Sequence, residues 1–166
     1  MRTLYLINIT VHVLAAMFWL GGMFFLGVIG APILRGVEPA SLRQKLFNDL
    51  GVRFRTAGWI AIAVLLATGI GNLYFHGWLA WSDVLGSADF WRSSAGRLLA
   101  LKLTAVGTML AVSAVHDFVS GPAASREVPG SHAANALRRR AAMLARVNAL
   151  VGVFVVVVAV RLTRVG

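Results

Sequence analysis

The stretch that decides the fold is Leu4–Leu34, whose centre reads Val11-His12-Val13-Leu14-Ala15-Ala16-Met17-Phe18-Trp19-Leu20-Gly21-Gly22. Charged residues bound it at Arg2 and Arg35, with none between them. About 20 apolar residues in a helix cross the hydrocarbon of a bilayer. At about 1.5 Å per residue this run crosses with turns to spare. It holds one histidine, His12. Such a group is costly on a membrane helix unless it faces the bundle interior and finds a partner there. His12, Trp19 and Leu26 recur at intervals of seven, with Ala15, Gly22 and Met23 close to the same stripe, so one helix face carries them all.

Composition agrees. The chain of 166 residues is 58% hydrophobic and 13% charged, and its mean hydropathy is +0.78. A soluble domain is about 25% charged, so the expectation is an integral membrane protein with a few spans and short connections. There is no cysteine, which excludes disulfides, thiolate ligands and cysteine nucleophiles. A net charge of +10 invites a nucleic-acid reading. The basic residues instead cluster beside apolar spans, where the positive-inside rule expects them, and nucleic acid is excluded as a partner. The first apolar run is too long for the h-region of a cleavable signal peptide.

Four spans are expected, at about 4–34, 56–76, 96–118 and 141–163, forming one transmembrane domain over 1–166. Pro32 and Arg35 close the first. Basic loops follow the first and third spans, over Arg35–Arg55 and Ser120–Arg140. The connection Gly77–Ala95 carries Trp78, Trp81, Phe90 and Trp91, which suits an interfacial loop or a short helix at headgroup level. About ten Lys/Arg lie on the side of the basic loops and about five on the other. Both termini are therefore expected on the periplasmic side of the inner membrane. The fold class is all-α: an up-down-up-down, integral membrane four-helix bundle. The first span carries Gly21, Gly22, Gly27 and Gly30, and the second Gly69 and Gly71. Small residues serve close helix packing or leave room beside a flat ligand, and both uses stay open.

Depth then selects the candidates. His12 lies a few turns inside the outer end of span one, and His76 closes span two on that side. Lys102 lies about two turns into span three, with Arg97 above it, and Arg161 sits near the outer end of span four. His116 and Asp117 end span three at the inner side, and Lys102, Met109 and His116 are spaced by sevens. Two chemistries suit this set. A b-type haem takes axial histidines from facing helices and cations near its propionates. His12 and His76 would be the axial pair, Trp19 would line the cofactor, and Lys102, Arg97 or Arg161 would meet the propionates. Copper favours imidazole with soft thioether: His12 and His76, then Met17, Met109 and His116. The blander readings are a hydrogen-bonded core histidine at 12, a snorkelling Lys102, and packing roles for Trp19 and Met109.

The first span resembles the copper-resistance protein D (CopD-like) membrane family, whose opening helix also runs from His to Trp-Leu-Gly-Gly, as in His12 and Trp19-Leu20-Gly21-Gly22. It is similar as well to the haem-binding, HemJ-type membrane protoporphyrinogen oxidases, where a Trp follows the span-one His by seven residues. The third span, Leu98-Leu99-Ala100-Leu101-Lys102-Leu103, is similar to the lysine-bearing helix in both groups. The resemblance implies a membrane helical bundle, and the depths of His12, His76, Lys102 and Arg161 place its expected site in the outer half. The leading expectation is a haem b protein with an electron-transfer or oxidoreductase role; the alternative is copper binding or transport at the periplasmic face. The expected partners are the lipid bilayer and a redox partner or copper donor, and a homodimer is allowed.

Overall fold

The computed structural model describes residues 1–79 and 84–164, so Trp81 lies outside the described residues. Its long helices are α1 (Arg2–Phe25), α3 (Ala40–Phe75), α5 (Ser94–Val115) and α7 (His132–Leu162). Short helices are α2 (Ala31–Arg35), α4 (Ala88–Arg92) and α6 (Gly121–Arg126). There is no strand among the described residues. Four helical rods, Arg2–Arg35, Ala40–Phe75, Ser94–Arg126 and His132–Leu162, are long and apolar enough to cross a membrane. They form an all-α, up-down-up-down bundle, and the chain is a multi-pass membrane protein. Ile60, Leu150 and Val28, 62%, 69% and 69% exposed, belong to an outward apolar surface that suits lipid and would not suit water.

The prolines do not end the helices as their chemistry suggests. Pro32 and Pro122 each sit one position into a short helix that continues a long one. A five-residue π-helical turn precedes each, Leu26–Gly30 and His116–Ser120. A proline inside an α-helix removes one N–H and crowds the carbonyl four residues back. The wider π turn shifts that carbonyl and lets the rod carry on. The first rod accordingly runs to Arg35 and stops at Gly36.

The two basic stretches expected as loops are mostly helix. No proline interrupts Ala40–Phe75, and 36 residues make a rod of about 54 Å, far more than the hydrocarbon needs. The second stretch breaks only around Pro129 and Gly130, whose φ is +82°. Ser131 then caps α7 by accepting from the Ala134 N–H (3.1 Å). Gln44 joins these extensions. It donates to the carbonyls of Ser125 (3.2 Å) and Glu127 (3.0 Å) and accepts from Arg138 (2.6 Å). At the opposite end, Trp78, Phe90 and Trp91 form the expected aromatic connection, partly as the short helix α4. Trp91 Nε1 donates to the Leu85 carbonyl (2.8 Å).

α1 packs chiefly on α3 and α5 on α7, and α1 also touches α7. Trp19, 5% exposed, is the hub. Its indole lies 3.6 Å from where a side chain on Gly58 of α3 would begin and 3.5 Å from the same point on Gly152 of α7. It clusters with Ala61, Ile62 and Met109.

Candidate functional site

The glycines answer the question of use left open by the sequence. A side chain on Gly71 would collide with Asn8, one on Gly22 with the ring of Phe54, and His12 Cε1 rests 3.8 Å from the same point on Gly69. The hollows of the α1–α3 interface are thus filled by the chain's own side chains. Gly21 and Gly27 have open space beside them instead.

His12 is held from α3. Its Nδ1 lies 2.8 Å from Thr68 Oγ1, and the single Thr68 hydroxyl proton is directed at the Val64 carbonyl, 2.6 Å away. Thr68 therefore accepts from His12 Nδ1–H, which in a neutral ring leaves the open lone pair on Nε2. One turn outward Asn8 donates to the Thr68 carbonyl (3.0 Å) and to Asn72 Oδ1 (2.8 Å). Lys102 of α5 is partly buried and close enough to act electrostatically on the His12 ring. Asn8, His12, Thr68, Asn72 and Lys102 form an outer polar layer.

Of the residues expected to converge at the outer end, Lys102 comes within electrostatic reach of His12, with no hydrogen bond between them. His76 is exposed at the end of α3, its Nδ1 donating to the Asn72 carbonyl (2.7 Å) and its ring against Tyr5 and Trp78. It lies eight residues beyond Thr68 on α3, about 12 Å along the axis, with the Asn8–Asn72 pair between. The two histidines do not face each other as axial ligands, and these residues do not fit a haem held between them. Arg97 is exposed. Arg161 is exposed too, beside an outward hollow shared with Val156, Val157, Val160 and Arg164. Neither makes a side-chain hydrogen bond or ion pair among the described residues, and their exposure keeps both out of the packed interior.

A second polar layer lies fourteen residues from Lys102 along α5 and its π turn, about 21 Å away. Its centre is Asp117. One carboxylate oxygen meets His116 Nδ1 (2.8 Å), the other accepts from Trp59 Nε1 (3.0 Å), and the Asp117 carbonyl accepts from Arg55 (3.0 Å). Deeper, the buried Asn148 donates to Ser113 (2.7 Å). Between the layers is an apolar plug of Trp19, Ala61, Ile62 and Met109, with Met23 packed on it. Met17 is 65% exposed and turned away from this plug. Sequence reasoning chose Met17 over Met23, although Met23 sits four residues after Trp19 and so on its face.

The rings of His12, His76 and His116 all make their hydrogen bonds through Nδ1. That is the arrangement in which a histidine offers Nε2 to a metal, the other nitrogen fixed by an oxygen. No three His, Asp or Glu residues converge among the described residues, so any metal here would be met by few imidazoles at a time.

Comparison with known proteins fits that donor chemistry. The family model for copper resistance protein D matches residues 50–162. The chain belongs to the copper resistance protein D family. The matched region holds His76, Lys102, Met109, His116 and the Asp117 cluster, and it omits the first span with His12 and Trp19. A relative described as an uncharacterized protein of Aquifex aeolicus (strain VF5) is 38% identical over 64 residues, covering 38% of this chain and 43% of that protein. The chain thus aligns with less than half of that relative's length. No solved structure matches significantly. Nothing in these likenesses supports haem binding.

Proposed function

We propose that this chain handles copper ions within the membrane, taking them through imidazoles at the end of the bundle that bears the termini. The observation that carries this is the anchoring of His12 by Thr68, which leaves Nε2 as a donor one layer below the surface. His76 supplies an exposed imidazole nearer that surface, and His116, backed by the Asp117 carboxylate, one at the far end. Family membership supports copper over other ions that imidazole accepts. The basic end faces the cytoplasm, following the distribution of Lys and Arg. A reporter fused after Ser125 should then read as cytoplasmic and one fused after Gly166 as external; the same side for both would overturn this orientation.

Lys102 places a cation beside the incoming ion. Like charges in a poorly screened interior repel by an amount worth about 1–2 kcal/mol at separations near 10 Å and an effective dielectric of 20. The copper reading is tested on purified protein by competition for Cu+ with a chromophoric chelator. His12→Ala should weaken the outer site by at least about tenfold, within the range for losing a metal-anchoring group. Lys102→Met should tighten it by about 5- to 30-fold. Unchanged affinity in His12→Ala would remove His12 from the copper site. A Soret band in the wild type that disappears in His12→Ala would replace copper with haem.

A further inference from the structure

The apolar plug between the two polar layers contains two thioethers, and one turn toward the second layer lies an amide oxygen with no partner among the described residues. Met109 is 6% exposed and belongs to the cluster of Trp19, Ala61 and Ile62, on which Met23 packs. Met23 Cε lies 3.9 Å from where a side chain on Gly152 would begin. One turn from Gly152 on α7 stands Asn148, 5% exposed, and one turn from Met109 on α5 stands its partner Ser113. The Asn148 Nδ2 is bonded to Ser113 Oγ at 2.7 Å. Its Oδ1 is buried with no hydrogen-bond partner among the described residues. A buried carbonyl oxygen left unpaired is destabilising. It is the acceptor that a cation would satisfy.

We propose that Met23, Met109 and the Asn148 side-chain oxygen form a transit site for a monovalent soft cation, Cu+, at the centre of the bundle. This rests on the copper reading above and deepens it. Thioethers select Cu+ over harder ions. The described plug holds no carboxylate or imidazole to balance charge, and the cost of burying an ion rises with the square of its charge, which favours a single charge over a double one. The place fits a relay as well. Met109 lies seven residues from Lys102 and seven from His116, about 10 Å from each polar layer. An ion leaving the imidazole at His12 therefore meets sulfur midway to the imidazole at His116.

The test uses the intact protein, with Cu+ kept reduced by ascorbate and Ag+ as a probe without redox chemistry. Leucine replaces methionine at nearly equal volume, so the double variant Met23→Leu, Met109→Leu should remain folded by circular dichroism. Met1, Met17 and Met143 are all more than half exposed and stay in place as internal controls for incidental sulfur contacts. X-ray absorption of the Cu+-loaded wild type should show a sulfur shell that the double variant loses. Ag+ uptake into proteoliposomes should fall at least tenfold in that variant. Asn148→Leu should give a smaller loss of uptake with the sulfur shell kept. A wild-type shell of nitrogen and oxygen alone, or full uptake in the double variant while His12→Ala abolishes it, would overturn the relay and leave the copper reading standing. A wild type that neither binds nor moves Cu+ or Ag+ would overturn both.

Discussion

Replacing Trp19 by alanine is expected to destabilise the bundle by about 2–4 kcal/mol. Removing a buried tryptophan from a soluble core costs about 3–5 kcal/mol, part of it the lost transfer from water. Here the reference state is lipid, as apolar as the core, so the transfer part shrinks and the loss of packing and the cavity remain. That remainder is large because Trp19 touches every other span. It rests on Gly58 and near Gly152, which have no side chain to swing into the space, and it clusters with Met109. Trp19→Phe, which keeps a ring between the same glycines, should lose roughly half as much. Thermal or denaturant unfolding in detergent measures both. A Trp19→Ala protein as stable as the wild type would show that the hub is elsewhere. Because Trp19 contributes no ligand atom, copper affinity at the outer site should change far less than it does in His12→Ala.

Helix phase was legible in the sequence. The recurrence of His12 and Trp19 by sevens, and of Lys102, Met109 and His116 on the third span, placed His12, Trp19 and Met109 inward and Lys102 partly so. What the spacing could not convey was how each hollow is filled. Gly22, Gly69 and Gly71 read equally well as packing notches or as room for a flat cofactor, and only the placement of Phe54, His12 and Asn8 in them separates the two. Convergence was over-read for Arg97 and Arg161, because depth alone was used and depth does not say which way a side chain points. The prolines misled for a local reason: a π turn is invisible to any periodicity counted at 3.6 residues. The Asp117 hub had a sequence signal, a carboxylate next to a histidine at a span end, but its partners Arg55 and Trp59 come from a helix some 60 residues away.

Asp117→Ala is expected to give the other large effect, about 2–5 kcal/mol in stability. The carboxylate accepts from two N–H groups, Trp59 Nε1 and His116 Nδ1, in a partly buried place. Stranding each donor costs about 1–3 kcal/mol. Asp117→Asn is the informative companion. Its one side-chain oxygen can serve either donor, while its amide N–H2 opposes the other, so its loss should fall near half that of alanine. The backbone bond from Arg55 survives in both variants, since it ends on the Asp117 carbonyl. A purely structural carboxylate would stop there. If His116 receives copper at the inner end, freeing its ring should also weaken metal binding at that end by about 10- to 100-fold, the usual cost of losing an outer partner of a histidine ligand. Trp59→Phe separates the two roles: it removes one bond to Asp117 while leaving His116 paired. It should therefore lower stability without the loss of inner-end affinity. Equal metal affinity in Asp117→Asn, Trp59→Phe and wild type would show that the cluster only ties α3 to the end of α5.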